Sequence, residues 1–447
     1  MATVEVTRTG SGSNNDHVRR HNLSVVLGLA HRTGGLSRAQ LTRQTGLNRS
    51  TIADLVGELV HRQLVVELEP DSSGQVGRPS PIVRPNPRAV ALAINPEVDA
   101  VTIGVVGLGG TVLKRIRYPT SHSTSAKEAV AICAAVIEGM RSELDTRYLT
   151  VGIGVAVPGL VREHDGLVRL APHLGWVDEP IARMLTDATG YPVVAANDAS
   201  LGALAESTFG AGRDVTDLIY LNGGASGIGG GVITGGVSLV GIAGYACEFG
   251  HTLVNSAGVI CSCGALGCLE TEVARAPLLK LVGLTDADGD ELELALTASR
   301  SPAVLAEVER QLDYLAVALR NAINVFNPRL VVLGGFLGSL YAVAPAYLDQ
   351  KLAHQTLHAA REGATISRAQ LGSDLLMIGA AELAFESILS DPASLETMCA
   401  HTPRVGCAGH TDGCGPSPLT RSLLAPSITV RTDPDEQPRG HQPGEWL

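Results

Sequence analysis

Three cysteines within eight residues, Cys261, Cys263 and Cys268 in the stretch CSCGALGCLE, constrain this chain more than any other feature. An imidazole, His251, stands just upstream in EFGH. Cys261 and Cys263 are too close to need a helix between them, and Gly264 and Gly267 free the backbone to bring Cys268 back toward the same point. Three thiolates and one imidazole make the closed Cys₃His set of a structural zinc site, with metal–sulfur bonds of about 2.3 Å. The competing reading is a reactive thiol pair or a disulfide. A ligand set with no vacant position suits structure better than redox chemistry, so zinc is the expected cofactor. Whatever fold the chain adopts must then close residues 251 to 268 into one rigid loop.

A chain of 447 residues exceeds one ordinary core and predicts two or three domains. Aromatics at 3% and 51 glycines fit an α/β chain rich in Ala, Val and Gly better than a β-sandwich. The net charge of −11 argues against wholesale coating of nucleic acid, but it is unevenly spread. Residues 1–90 hold eleven arginines against seven acidic side chains, a net of +4, which leaves −15 for the remainder. The basic end reads as a separate module. A polar N-terminus without an apolar h-region, and no apolar run long enough to span a bilayer, predict a cytoplasmic protein that needs no membrane. Thiols there stay reduced and available to metal.

Residues 1–15 are small and polar and are expected to be disordered. Residues 16–88 read as a winged helix-turn-helix. Leu23, Val26, Leu27 and Ala30 recur at helical spacing, and Gly34-Gly35 end that helix. Ser37 is an N-cap, Thr45-Gly46-Leu47 form a turn, and Asn48 caps a further helix that buries Ile52, Leu55, Val56 and Leu59. Such a helix enters the major groove of duplex DNA, which makes Arg38, Arg49, Ser50 and Thr51 candidate contacts. The wing beyond that helix places Arg78 between Gly77 and Pro79, where an extended arginine suits an AT-rich minor groove. The alternative for Arg38, Arg43 and Arg49 is a solvated helix face.

From residue 89 to 390 apolar strands alternate with helices, in a pattern of three strands followed by helix and strand that occurs twice. It predicts two similar α/β lobes with a cleft between them. Turns are expected at Asn95-Pro96 and at 107–110. Residues 391–447, with 8 of the 23 prolines, are expected to form a disordered tail.

Asn197 and Asp198 fall at the C-terminal end of a strand, where open α/β sheets present groups to ligands. An aspartate there can take a proton from a sugar hydroxyl, or it can simply cap the next helix. Glu248 and Glu270 flank the thiol motif and can accept hydrogen bonds from several hydroxyls of one polyol. Two glycine-rich stretches, containing Ser226, Gly227 and Gly229 and then Gly334 and Gly335, offer backbone N–H groups of the kind that cradle phosphate.

Taken together, ExGH, CxCGxxGCxE, AVPG, NDA and LGG resemble the ROK family of repressors, open reading frames and sugar kinases, over about Arg19 to Leu389. The resemblance implies a two-lobed actin-like ATPase fold, here behind an N-terminal winged helix-turn-helix. It implies zinc on His251, Cys261, Cys263 and Cys268, and sugar contacts from Gly159, Asn197, Asp198, Glu248, His251 and Glu270, with Asp198 matching the catalytic base. Kinase members carry an Asp-x-Gly-Gly-Thr turn after the first strand. The corresponding residues here are Asn95-Pro96-Glu97, which remove an acid and an N–H and add a negative charge where phosphate would lie. ATP and magnesium are therefore not expected. The expectation is a sugar-responsive repressor that binds operator DNA as a homodimer or homotetramer and senses a sugar or sugar phosphate. The alternative is an ATP-dependent kinase of a hexose or N-acetylated amino sugar, with Asp198 as general base.

Overall fold

The computed structural model describes residues 15–69, 80–287 and 289–395. Arg78, nearly all of the expected N-terminal disorder and the tail from residue 396 lie outside the described residues.

The N-terminal module consists of α1 (Asn15–Thr33), β1 (Leu36–Ser37), α2 (Arg38–Thr45), α3 (Arg49–His61), β2 (Val65–Leu68) and β3 (Ile82–Pro85). Ser37 starts α2 with a capping box: its side chain accepts from the Gln40 N–H, and the Gln40 side chain accepts from the Ser37 N–H. Gly46 ends α2 in the left-handed conformation, and Asn48 accepts from the Thr51 N–H to start α3. Ile52, Leu55, Val56 and Leu59 form the buried face of α3, packed with Leu23, Val26 and Leu27 of α1. β2 and β3 pair antiparallel as the wing, and β1 adds to the other edge of β3.

The first lobe begins with β4 (Ala89–Pro96), β5 (Ala100–Gly107), β6 (Thr111–Pro119), α4 (Ala126–Arg147) and β7 (Leu149–Val157). Then come β8 (Leu160–Arg162), β9 (Leu167–Ala171), β10 (Trp176–Glu179), α5 (Ile181–Thr189), β11 (Val193–Asn197) and α6 (Asp198–Phe209). The second lobe holds β12 (Leu218–Gly224), β13 (Gly227–Thr234), β14 (Val237–Ser238), α7 (Leu269–Glu272), α8 (Arg275–Val282), α9 (Gly289–Ala298) and α10 (Pro302–Phe326). It continues with β15 (Leu330–Gly334), α11 (Gly335–Val343), α12 (Pro345–Gln355), α13 (His358–Gly363), β16 (Thr365–Arg368) and α14 (Leu375–Ser390).

The two main sheets repeat one plan, with strand orders β11-β7-β4-β5-β6 and β14-β13-β12-β15-β16. In each, three strands run as an antiparallel meander and two more add parallel to the first of them. β4 and β5 are buried along their whole length, which is why they read as continuous apolar runs, whereas edge strand β6 alternates.

The structure departs from the sequence reading in four places. Asn95 and Pro96 pair with Thr102 and Val101 inside the β4–β5 ladder, and the turn falls on residues 97–99. The proline lies beyond the last β4–β7 pair, Ile94 with Val155, so its missing N–H breaks no bond on that side. β8, β9 and β10 form a small separate sheet that the periodicity does not announce, because each strand is five residues or fewer. α14, last in the chain, returns to the first lobe and packs on α6, β4 and β7. The segment expected to begin the tail still belongs to the fold: Pro392–Ser394 form a 3₁₀ turn, the Arg62 guanidinium donates to the Ala393 carbonyl at 3.2 Å, and Leu395 is buried.

α1–α3 and the first lobe share a single apolar core, running from Leu23 and Leu59 through Ala91 and Val151 to Phe385 and Ile388. α1–α3 are thus packed directly onto the first lobe and are not a detached module. Among the described residues no helix is long and apolar enough to cross a membrane.

Candidate functional site

The metal-ligand candidates come together. One ligand atom from each of His251, Cys261, Cys263 and Cys268 lies within 4.8 Å of all the others. His251 Nδ1 is 3.6 Å from Cys261 Sγ, and Cys263 Sγ is 3.7 Å from Cys268 Sγ. Four ligands on bonds of about 2.3 Å in a tetrahedron stand about 3.8 Å apart, a spacing that these two pairs already have and to which the set as a whole comes within about 1 Å. Burial pushes the Cys268 thiol up to about 12, helped by its thiol neighbours, so a shared cation is needed to hold all three as thiolates.

The loop that carries them is tied by its own backbone. Cys261 N–H donates to the Ala265 carbonyl, Gly264 N–H to that of Cys261, and Val254 N–H to that of Gly267. At Gly267 a side chain is impossible: a Cβ would sit 1.7 Å from the Asn255 carbonyl oxygen. Cys268 then caps α7 and delivers Glu270 back over the site, where its carboxylate accepts from the Cys261 thiol at 3.0 Å. Glu248 enters from the other side, directly before the 3₁₀ turn Phe249–His251.

Asn197 and Asp198 stand where β11 meets α6, as the strand-end position predicts. Asn197 has a double role: its side-chain oxygen accepts from the Ser200 N–H as the helix cap, and its amide donates to the Gly159 carbonyl at 3.1 Å. Gly159 is therefore held beside Asn197, and Leu170 and Ala171 leave no room there for a side chain. Asp198 follows as the first residue of α6, and its own Oδ1 accepts from the Ala199 N–H at 2.8 Å. Burial raises the Asp198 carboxyl to about 6, and the charge of Glu248 adds to the effect. Glu248 is itself raised by burial and by Glu270, and lowered by His251. Glu248 thus feels the charges of both Asp198 and Glu270, a set of carboxylates able to accept hydrogen bonds from a polyol.

The glycine-rich stretches separate. Gly334 and Gly335 line a cavity of about 730 Å³ between the lobes, whereas Ser226, Gly227 and Gly229 do not. Gly227 instead makes room for Glu270, whose Oε2 a Cβ would approach to 2.6 Å. Glu97 projects into the cavity wall, accepting from the Thr102 hydroxyl at 2.6 Å and lying 3.6 Å from the Arg117 guanidinium. The cavity also takes Arg115 and Arg368, each paired with a carboxylate: Arg115 with Asp374, and Arg368 with Glu293. Sequence reasoning misses these arginines because they come from β6 and β16 and carry no motif. Among the described residues, the cavity walls offer no unpaired cation to a triphosphate.

In the N-terminal module Arg49 and Ser50 are exposed at the first turn of α3, with Thr51 half-buried beside them. Arg38 is committed elsewhere: its guanidinium makes two hydrogen bonds to the Glu67 carboxylate of the wing.

The ROK family profile matches residues 92–387 of this chain. The xylose repressor of Caldicellulosiruptor bescii is 29% identical over 329 residues, spanning 68% of this chain and 81% of its own length. A glucokinase of Halalkalibacterium halodurans is 31% identical over 303 residues, spanning 63% and 92%. Among solved structures, a ROK family transcriptional regulator homologous to the Escherichia coli MLC protein superposes with a TM-score of 0.71 at 25% identity, covering 86% of this chain and 100% of that one.

Proposed function

The chain belongs to the ROK family, its two sheets forming the lobes of that family's actin-like ATPase fold, and from this premise we propose that it is a sugar-responsive transcriptional repressor. One observation carries the reading: a helix-turn-helix and wing share a continuous core with a two-lobed sugar-kinase-like body whose first phosphate turn is Asn95-Pro96-Glu97. Residues 16–88 bind operator DNA and residues 89–390 sense the effector, a sugar or sugar phosphate. Gly159, Asn197, Asp198, Glu248, His251 and Glu270 contact it. Zinc on His251, Cys261, Cys263 and Cys268 fixes the floor on which those carboxylates stand, as a support for ligand-binding groups rather than a Lewis acid. The protein works in the cytoplasm as a homodimer or homotetramer, because two recognition helices on a two-fold axis read a pseudo-palindromic operator.

Arg49, Ser50 and Thr51 face the DNA, with Arg38 steadying the wing through Glu67. The Arg49→Ala chain is expected to bind duplex DNA about 5–10-fold more weakly, with the slope of log K against log salt reduced by about one. Fluorescence anisotropy across a salt series measures both. An unchanged slope would place Arg49 away from the phosphates.

The cavity between the lobes and the raised carboxyl of Asp198 favour a second reading, an ATP-dependent sugar kinase with Asp198 as general base. The carboxylate of Glu97 in the cavity wall and the carboxylate-paired arginines oppose it. Coupled assay of ADP release with hexoses and N-acetylated amino sugars is expected to give no turnover above background. Turnover that Asp198→Asn abolishes would falsify the sensor-only reading.

A further inference from the structure

His31, at the C-terminal end of α1, is 1% exposed and sits in the seam between the N-terminal module and the first lobe. The Gly109 N–H, in the β5–β6 turn, donates to its Nδ1 at 2.9 Å. That nitrogen is therefore an acceptor, which places the ring proton on Nε2. Nε2 donates to Glu382 Oε2 of α14 at 2.9 Å, with Glu382 itself 6% exposed. Two aromatic rings complete the socket: Phe209 meets the imidazole edge-on at 5.1 Å and Phe385 at 6.1 Å.

The partners come from elements that lead to the sugar site. Phe209 is the last residue of α6, and Asp198 is the first. A helix of twelve residues is about 18 Å long and stiff. Its far end is braced by Glu206, fully buried, which accepts from the backbone N–H groups of Ala211, Gln370 and Leu371. α14, which carries Glu382 and Phe385, touches α6 and β7 backbone to backbone. A Cβ on Gly379 would stand 2.4 Å from the Leu201 carbonyl oxygen, and one on Gly154 only 1.7 Å from that of Ala380. α6, α14 and β7 are therefore packed as one block, and packed interiors shift between discrete arrangements rather than deform smoothly. Just past α6, the Arg213 guanidinium donates to the Arg32 carbonyl at 3.1 Å and ties the same end of α1.

The chemistry of residue 31 fits this place. A leucine there would pack in an apolar seam and tolerate sliding, because apolar contact is non-directional. An imidazole held by one N–H donor and one carboxylate acceptor has a single register.

We propose that His31 is a positioning residue that passes the state of the sugar pocket to the DNA-reading helices, by registering the α6–α14 block against α1. This rests on the function proposed above. Effector contact at Asp198 shifts α6, the socket formed by Phe209, Glu382 and Gly109 shifts with it, and α1 moves too because its ring has no second seat.

The test uses the full zinc-loaded chain, a duplex that it selects from a randomised pool, and D-xylose, D-glucose, N-acetylglucosamine and its 6-phosphate as probes. Duplex Kd is measured with and without saturating sugar, and sugar Kd by calorimetry. His31→Leu, which keeps bulk and removes both hydrogen bonds, and Phe209→Leu should each retain sugar Kd within about 3-fold and still bind duplex. The sugar-dependent change in duplex Kd, of the about 5–150-fold size usual for linked sites, should fall to less than about 2-fold. His31→Gln, able to accept from Gly109 and donate to Glu382, should restore part of it. If His31→Leu fails to fold by circular dichroism, Phe209→Leu and His31→Gln decide the question. Folded variants that keep the full sugar effect overturn the proposal. A wild-type chain whose duplex affinity ignores every sugar overturns the function itself, a failure seen before any substitution is made.

Discussion

Replacing Cys263 by serine is expected to remove the metal and the sugar response together. Cys263 is the one exposed thiol of the cluster, so the substitution leaves the packing around Cys261 and Cys268 intact and acts through the ligand set. A hydroxyl is a poor ligand for zinc beside two thiolates and an imidazole. Loss of an outer partner already weakens a metal site by about 10–100-fold, and loss of one of four direct ligands costs more. Without the ion, Cys261 and Cys268 return to protonated forms, and the loop from Thr252 to Cys268 is left with its backbone hydrogen bonds and those of Asn255 to Glu272 and Tyr314. Glu270, delivered by that loop through α7, loses its fixed place against Gly227. Metal content by mass spectrometry should fall from one ion per chain to near zero, and sugar should no longer raise the melting temperature. A metal-free variant with unchanged sugar affinity would show that the loop is held for another purpose. Binding of duplex DNA should survive, because α1–α3 draw on a different core.

The Asp198→Asn chain is expected to lose sugar affinity by about 10–150-fold, the value of one hydrogen bond to a charged acceptor, and to become more stable at neutral pH. The direction of the second effect comes from the carboxyl. Its ordinary value of 3.8 is raised to about 6 in the fold, chiefly by burial. A carboxylate shifted upward contributes stability at low pH that is lost as pH rises through about 6, so at pH 7.5 the wild-type chain bears the cost of holding a charge at a partly buried place. Asparagine carries no such charge, and its melting temperature at pH 7.5 should lie about 1–3 °C above wild type. At pH 4 the difference should vanish. The same shift makes wild-type sugar affinity flat above about pH 7 and falling below about pH 6, where the acceptor is protonated. Calorimetry from pH 5 to 8 reads this directly. A pH-independent affinity would show that Asp198 does not accept from the sugar.

Much of the site is local, and local features are readable from sequence. The metal ligands span 251 to 268 and are joined by glycine turns, so spacing alone places them at one point. The caps at Ser37 and Asn48 and the buried face of α3 arise from side-chain chemistry within one helical turn. Other features depend on residues far apart in the chain. Gly227 reads as a phosphate-loop glycine because nothing near it in sequence reveals that Glu270 needs the space. Arg38 reads as a free DNA contact because Glu67 lies across a strand pair. The wall of the interlobe cavity, from Arg115 and Arg117 on β6 to Arg368 on β16, bears no motif at all.

By itself the sequence determined most of the longer helices and strands, the duplication of the lobe plan and the spacing of the metal ligands. Each rests on periodicity, spacing or the identity of neighbouring residues. Tertiary structure alone decided that α14 crosses back to the first lobe, that the N-terminal helices share its core, and that His31 meets Gly109, Phe209 and Glu382. The physical reason is separation along the chain: Glu382 lies 351 residues from His31. Only the closing of the core brings such groups within hydrogen-bond range, and no local pattern encodes it.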